Sequence, residues 1–216
     1  AVRPQGSADY ERYIGTWTVT TTSSEVTGQP QTYTIRIEPY RNDKSYKVYD
    51  WGVTTLGSKE EDFPFILSYN EADGSVGINS YEDLGMYGFT YYIYLRYRFL
   101  NEQSQPSIWV SEDTLVSGAY DAASNEITIT CGTFNDNSGI TQKITGLDYV
   151  LYTGGKYYEA QNLIRPGYLI GEGDNAKVDY GVGPYKLTKA PAAAAVPAKR
   201  PAEKVEALRP ASETKQ

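Results

Sequence analysis

The residues that could carry chemistry are unevenly represented in this chain of 216 residues: it has no histidine, one cysteine and 21 tyrosines. Without histidine, a serine or cysteine nucleophile has no imidazole base, and a zinc ion has no imidazole ligand. Cys131 alternates with Ile127 and Ile129 on one face of a predicted strand, so we expect it to be a small buried hydrophobe rather than a reactive thiol. Carboxylates and aromatic side chains remain as the groups to consider.

Carboxylates are clustered between predicted strands, where they could serve catalysis or metal binding. Two carboxylates across a cleft can hydrolyse a glycosidic bond, and oxygen ligands can hold calcium. None of the clusters has the spacing of a calcium loop, and all lie in predicted turns, where acidic residues and Asn are common. We therefore predict that the protein is not an enzyme and holds no metal or cofactor; a carboxylate-based hydrolase is the weakest hypothesis. The clusters are Glu60-Glu61-Asp62, Glu71 with Asp73, Glu82-Asp83 and Glu112-Asp113.

The densest aromatic segment runs from Phe89 to Leu100 and alternates between two faces. One face, which includes Tyr91, is apolar and is predicted to be core or cavity wall. The other face is predicted to be a stripe exposed to solvent, because tyrosine and arginine alternate there with the apolar residues. Such a stripe suits a sugar or a protein partner, and the alternative is ordinary cross-strand pairing on the outside of a barrel. The stripe consists of Tyr92, Tyr94, Arg96 and Arg98.

Two tryptophans, Trp51 and Trp109, could line an opening of a barrel together with Tyr40 and Tyr49. Aromatic side chains with a few polar groups make pockets for small ligands. The alternative is that they fill the core, because small barrels are packed solid. The predicted ligand-binding residues are Trp51, Tyr91, Trp109, Tyr92, Tyr94 and Arg96.

The elements that must position these residues read as strand after strand from Ile14 to about Tyr185. Apolar and polar residues alternate in short stretches, and turn signals such as Asn70–Gly74 and Asp121–Asn125 separate them. About ten or more short strands with this spacing predict an all-β fold, an antiparallel up-and-down barrel of about eight to ten strands. A chain of this length buries roughly 70% of its unfolded surface, so the barrel needs no disulfide.

The chain divides into three parts by composition. Residues 1–9 are predicted to be an N-terminal linker, residues 10–189 the β-barrel domain, and residues 190–216 a flexible tail rich in Pro, Ala and Lys. Neither flank carries enough large apolar residues to contribute to a core.

Three short motifs carry a resemblance to a known family. Gly15-Thr16-Trp17 resembles the Gly-x-Trp signature of lipocalins and other calycin barrels, and Leu147–Tyr152 is similar to the family's Thr-Asp-Tyr-x-x-Tyr motif, with Leu147 in place of Thr. The resemblance implies that Gly15 lets the chain enter the barrel, that Trp17 plugs its closed end, and that Arg165 packs on Trp17. The chain also resembles lipocalin-like domains in uncharacterised secreted or lipid-anchored proteins of gut anaerobic bacteria, which implies an extracytoplasmic location and no established activity.

Charge and hydropathy restrict the partners. The formal net charge is −7, and an acidic body repels phosphate backbones, so we expect no nucleic-acid partner. No run of about 18 apolar residues is present, so we predict no transmembrane segment. We expect an extracytoplasmic monomer (secreted, periplasmic or on the outer cell surface) that binds a small amphipathic molecule, a glycan or a protein. The alternative is a structural or adhesive domain of a larger cell-envelope protein without a ligand pocket.

Overall fold

A computed structural model describes residues 2–54, 63–160, 164–190 and 214–215. The described residues form one single-turn helix, α1 (Ala8–Glu11), eighteen strands, and a short 3-10 turn at Gly173–Asn175. The first nine strands are β1 (Gly15–Ser24), β2 (Thr32–Arg41), β3 (Ser45–Tyr49), β4 (Val53–Thr54), β5 (Phe65–Tyr69), β6 (Val76–Ile78), β7 (Glu82–Tyr87), β8 (Tyr91–Leu100) and β9 (Pro106–Trp109). The others are β10 (Val116–Asp121), β11 (Glu126–Cys131), β12 (Thr133–Asn135), β13 (Thr141–Thr153), β14 (Lys156–Glu159), β15 (Ile164–Arg165), β16 (Gly167–Ile170), β17 (Lys177–Lys189) and β18 (Thr214–Lys215).

Eight of these strands form a closed antiparallel barrel. Their order is β1-β2-β3-β5-β6-β10-β11-β17, and β17 pairs with β1 to close the sheet. Strands that are adjacent in the barrel follow one another along the chain apart from two excursions, so the barrel is of the up-and-down type. The prediction of an all-β, antiparallel up-and-down barrel of eight to ten strands is confirmed.

The two excursions build a second sheet that the sequence did not predict. The chain leaves the barrel after β6 to form β7, β8 and β9, and leaves it again after β11 to form β12, β13 and β14. The short strand β15 pairs with β4, and β16 pairs with β17 of the barrel. The long strands β8 and β13 pair at the centre of this sheet. β7 and β9 pair with successive halves of β8, while β12 and β14 pair with successive parts of β13. Alternation along a strand indicates which residues face inward, but it does not indicate which sheet the strand joins.

The barrel and the second sheet share one core. Barrel residues such as Trp17, Val19 and Phe65 are fully buried, and so are Ile93 and Leu95 on the inner face of β8. All of them belong to a single cluster of buried apolar side chains, and β13 packs directly against β11 and β17. Because the two sheets cover each other's apolar faces, neither can lose the other without exposing a large hydrophobic surface.

The end of the barrel near the N-terminus is closed by α1 and a cluster of tyrosines. Ser7 caps the helix by accepting a hydrogen bond from the Tyr10 N–H at 3.2 Å. The Tyr10 ring stacks on Tyr46 with 4.4 Å between centroids, and the Trp17 indole N–H donates to the Tyr13 carbonyl oxygen at 2.8 Å. The helix begins at Ala8, inside the segment predicted as a linker, and its Tyr10 is fully buried at the barrel end.

Two predicted features differ from the described structure or lie outside it. Glu82-Asp83 is predicted to lie in a turn, yet both residues belong to β7, which pairs with β8. Residues 191–213 of the predicted tail lie outside the described residues, and β18 beyond them pairs in parallel with β9. Of the helices in the described part of the chain, none is long and apolar enough to cross a membrane.

Candidate functional site

The outer face of the second sheet carries a row of four large side chains, one from each of four adjacent strands. Cross-strand pairing places Met86 of β7 opposite Tyr92 of β8, Tyr92 opposite Tyr152 of β13, and Tyr152 opposite Tyr157 of β14. Directly paired residues point to the same face. With about 4.8 Å between strands, the row extends over roughly 14 Å.

The tyrosines of this row continue onto Tyr94 and form a contiguous surface, which we call the tyrosine platform (Tyr92, Tyr94, Tyr152 and Tyr157). Tyr92 and Tyr94 are nearly parallel, with centroids 6.1 Å apart and an interplanar angle of 3°. Tyr94 lies 5.7 Å from Tyr152, and Tyr152 lies 5.0 Å from Tyr157. Tyr92 is 41% exposed and the neighbouring Met86 is 43% exposed, so the platform borders solvent.

Arg96 bounds the platform on one side. Its guanidinium carbon lies 4.4 Å from the centre of the Tyr94 ring, in a cation–π contact. Its Nη1 donates to the carbonyl oxygens of Ser80 at 3.0 Å and of Leu95 at 2.9 Å. Only 8% of Arg96 is exposed, so this part of the predicted stripe does not face solvent.

Arg98 is buried as well, in an ion cluster with Glu25 and Asp148. Its Nε and Nη2 donate to the carboxylate of Glu25 at 2.7 and 2.9 Å, and its Nη1 donates to Asp148 Oδ2 at 2.8 Å. The guanidinium also covers the Tyr180 ring at 3.4 Å. Burial raises the pKa of Asp148 more than Arg98 lowers it. The expectation that Arg98 faces solvent is wrong, because the residues that enclose it come from distant parts of the chain.

The remaining predicted ligand-binding residues lie on the core side. Trp51 packs among Phe65, Tyr33 and Tyr185, and is almost completely buried. Trp109 stacks on Phe134 with 4.2 Å between centroids. Tyr91 is half-buried and packs against the core cluster. The structure therefore brings Tyr92, Tyr94 and Arg96 together on the outer face and leaves Trp51, Trp109 and Tyr91 on the inner side.

Sequence reasoning missed three members or neighbours of this site. Met86 lies in β7, a strand that was not predicted from the sequence. Tyr152 and Tyr157 flank Gly154-Gly155, whose positive φ angles of 56° and 77° suit a tight hairpin. Two tyrosines placed symmetrically about a Gly-Gly turn were a usable signal, since a hairpin sets such residues opposite each other.

The carboxylates are held mostly in local roles, with one exception. Asp73 accepts hydrogen bonds from the N–H and the hydroxyl of Ser75, which lowers its pKa, and Glu71 pairs with Lys44 at 2.9 Å. Glu82 does not lie in a turn: it belongs to β7, and its Oε1 accepts the Ile66 N–H at 2.8 Å. Burial raises the pKa of Glu82 to about 7. The cluster at 60–62 lies outside the described residues.

Metal and thiol chemistry find no support in the described residues. Among residues 2–54, 63–160 and 164–190, no group of three or more Cys, Asp or Glu side chains is placed to hold a metal ion. Cys131 is buried, as predicted, and burial raises the pKa of its thiol to about 11. A thiol with this pKa is almost entirely protonated at neutral pH and is a poor nucleophile.

Trp17 is fully buried, and its indole N–H donates to the Tyr13 carbonyl oxygen just after α1. A cation packs on its indole, but it is Lys189, whose Nζ lies 4.5 Å from the ring centre and donates to the Ile14 carbonyl oxygen at 2.5 Å. Burial lowers the pKa of Lys189. The side chain of Arg165, which the resemblance implied for this position, lies outside the described residues.

Comparison with known proteins yields no relative: no family model, no curated protein and no solved structure matches the chain. The closed barrel of eight antiparallel strands agrees with a lipocalin-like barrel in overall architecture. The site is therefore interpreted from its own geometry.

Proposed function

We propose that this protein is a non-enzymatic, extracytoplasmic binding module whose tyrosine platform binds a glycan, and that its barrel is a lipocalin-like member of the calycins. The observation that carries the proposal is the contiguous row of aromatic rings across four strands, partly exposed on the outer face of the second sheet. An extracytoplasmic location is supported by the resemblance of the sequence to secreted and lipid-anchored lipocalin-like domains.

The chemistry of a sugar complements this surface. One face of a pyranose ring presents C–H bonds, which pack on the electron-rich face of an aromatic ring, while the hydroxyl groups at its edge form hydrogen bonds with tyrosine hydroxyls. Because β8 and β13 hold the rings on paired strands, little conformational freedom is lost when a ligand binds. A linear glycan can therefore lie along the row and contact successive tyrosines.

The burial of large apolar side chains in the barrel favours the outer surface over the inside as the binding site. Trp17, Val19, Ile35 and Leu67 are at most 2% exposed, and Trp51 is enclosed by aromatic rings. A small amphipathic ligand inside the barrel would have to displace these side chains. The platform needs no such rearrangement.

The proposal is tested by screening the protein against a panel of soluble polysaccharides and measuring affinity by calorimetry for those that bind. Tyr92→Ala and Tyr152→Ala are each expected to weaken binding about tenfold or more, because each removes an aromatic contact worth more than about 1 kcal/mol. Tyr40→Ala is the matched control: Tyr40 is an exposed tyrosine on β2 of the barrel, far from the platform in the strand order. Equal losses in all three variants would contradict the proposal.

The second candidate function is a structural or adhesive domain of a larger cell-envelope protein. The burial of large apolar side chains in the barrel favours it, because a densely packed core serves stability rather than ligand binding. If no polysaccharide in the panel binds while the protein unfolds in a single cooperative transition, this second function is supported and the first is rejected.

A further inference from the structure

Two arginines on the outer face of β8 have opposite environments. Arg98 makes three hydrogen bonds to two carboxylates. Arg96, two residues earlier on the same face, makes its hydrogen bonds to described residues only through Nη1, and both acceptors are backbone carbonyls. Its Nε is buried without a hydrogen-bond partner, and it forms no ion pair with any carboxylate of the described residues.

The carboxylates nearest to Arg96 in the sheet are already engaged. Asp148 lies directly opposite Arg96 in the pairing of β13 with β8, but its Oδ2 accepts from Arg98. Asp83 lies opposite Tyr94, and its Oδ1 accepts the N–H of Gly85 at 2.8 Å. Arg96 is thus a buried cation whose Nε has no hydrogen-bond partner among the described residues, and this unsatisfied edge of the guanidinium costs free energy until an acceptor reaches it.

This edge adjoins the tyrosine platform. The guanidinium stacks on Tyr94, and Tyr94 contacts both Tyr92 and Tyr152. A ligand that lies on the rings at the Tyr94 end of the platform is therefore next to Arg96, and because only 8% of Arg96 is exposed, contact with its guanidinium requires the surrounding side chains to move. The planar guanidinium presents parallel N–H donors that match the two oxygens of a carboxylate or sulfate group.

We propose that Arg96 is the anion-recognising residue of the tyrosine platform, and that the ligand is an acidic glycan whose carboxylate or sulfate group accepts hydrogen bonds from the guanidinium. This inference rests on the proposed function and specifies its ligand class. The Ser80 and Leu95 carbonyls hold the guanidinium in place, and its carbon lies 4.4 Å from the centre of the Tyr94 ring.

The experiment compares ligands that differ only in charge. Affinity is measured for polygalacturonate and its methyl ester, and for dextran sulfate and dextran, at 0.15 M salt, where a Debye length of about 8 Å screens repulsion from the net charge of −7. The wild-type protein is expected to bind the acidic member of at least one pair about tenfold more tightly than its neutral partner. The pair that shows the preference identifies the group as carboxylate or sulfate.

Variants assign the preference to Arg96. Arg96→Gln and Arg96→Lys are expected to abolish the preference and to retain the binding of the neutral polymer. Arg41→Gln is the matched control, since Arg41 also stacks on a tyrosine, at 5.5 Å from Tyr40, but on β2 of the barrel. The ligand comparison on the wild-type protein stands even if Arg96→Gln does not fold.

The outcomes separate this inference from the function on which it rests. Equal binding of the acidic and neutral polymers, lost in Tyr92→Ala, would overturn the role of Arg96 and support the platform as a glycan site. An acid preference that survives in both Arg96 variants would also overturn it. Binding of no polymer by the wild-type protein rejects both proposals.

Discussion

At the scale of single residues, the buried ion cluster is the most consequential feature for stability. Arg98 neutralises Glu25 and Asp148, which come from the end of β1 and the middle of β13, and side chains of all three are less than one-tenth exposed. Removal of one member of a buried cluster leaves charges without partners in a medium that solvates them poorly. The cluster therefore links three segments that are distant in the sequence and stabilises their relative positions.

We expect Arg98→Gln to lower the free energy of unfolding by about 3–5 kcal/mol, because Glu25 and Asp148 would remain buried without a cation. Urea denaturation followed by tryptophan fluorescence measures this loss. Lys44→Gln serves as the control: Lys44 also pairs with a carboxylate, Glu71 at 2.9 Å, but both side chains are more than half exposed, and such pairs contribute at most about 1 kcal/mol. Similar losses of unfolding free energy in the two variants would show that the buried cluster stabilises the protein no more than an exposed ion pair does.

Glu82 makes stability depend on pH. Its pKa is raised from 4.5 to about 7 in the folded protein, so the folded state holds a proton that the unfolded state has released between these values. Stability contributed by this proton is present below about pH 4.5 and is lost as the pH rises through 7. The loss amounts to at most about 3 kcal/mol.

Glu82→Gln keeps an acceptor for the Ile66 N–H but cannot ionise. The stability of this variant relative to wild type is therefore expected to increase between pH 5 and pH 8, as measured by urea denaturation across the range. Glu71→Gln, at an exposed position paired with Lys44, should follow the wild-type curve. A constant difference between Glu82→Gln and wild type would show that Glu82 stays ionised throughout.

At the scale of elements, β13 can belong to the second sheet and lie against the barrel because of a glycine. The pairing of β13 with β8 shifts register between Ile144 and Gly146, and a Cβ at Gly146 would meet the Tyr185 hydroxyl and, at 3.1 Å, the Gly181 carbonyl oxygen. Tyr185 and Gly181 belong to β17. The close approach of the two strands therefore depends on the absence of a side chain at 146.

Gly146→Ala is expected to destabilise the protein by about 1–3 kcal/mol, the usual cost of inserting a methyl group into a packed region. Tyr185→Phe removes the hydroxyl that the methyl group would meet. The double variant Gly146→Ala/Tyr185→Phe should therefore be less destabilised than the sum of the single variants, measured as free energies of unfolding. If the losses of the two single variants simply add in the double variant, the new methyl group does not clash with the Tyr185 hydroxyl.

At the scale of the whole molecule, the two sheets form one cooperative unit because they share a single apolar core. Buried residues on the inner face of β8, such as Leu95 and Tyr97, belong to the same cluster as Val19 and Ile35 of the barrel. Separation of the sheets would expose both faces to water, at a cost that rises with the apolar area exposed.

Native-state hydrogen exchange should show this cooperativity directly. Amides of Leu95 and Tyr97 in β8 are expected to exchange with the same free energy as amides of Val19 and Ile35 in the barrel, and this value should equal the global free energy of unfolding. Tyr87, near the tip of the β7–β8 hairpin, serves as a reference for local opening. If β8 exchanged at a clearly lower free energy than β2, the second sheet would be a separate unit.

Much of the fold can be predicted from the local pattern of residues. Period-2 alternation in stretches such as 127–131 and 32–38, with turn residues between them, suffices for an antiparallel all-β barrel. The same alternation assigns Tyr92, Tyr94 and Arg96 to one face. The pattern failed at β7, where Gly85 and the acidic pair before it resemble a turn, because pairing with β8 outweighs the low strand propensity of those residues.

The sequence by itself determined the strand character of the chain and the alternation of its faces, because both depend on residue types a few positions apart. It also determined that no imidazole group is present, because the chain has no histidine. Only the tertiary structure decided that two excursions build a second sheet and that Tyr152 and Tyr157 join Tyr92 and Tyr94. It also decided that Arg98 pairs with carboxylates while the Nε of Arg96 has no hydrogen-bond partner among the described residues. These outcomes depend on contacts between residues as far apart as Glu25 and Arg98. Alternation specifies the direction of a side chain, whereas its burial depends on what the rest of the chain places over it.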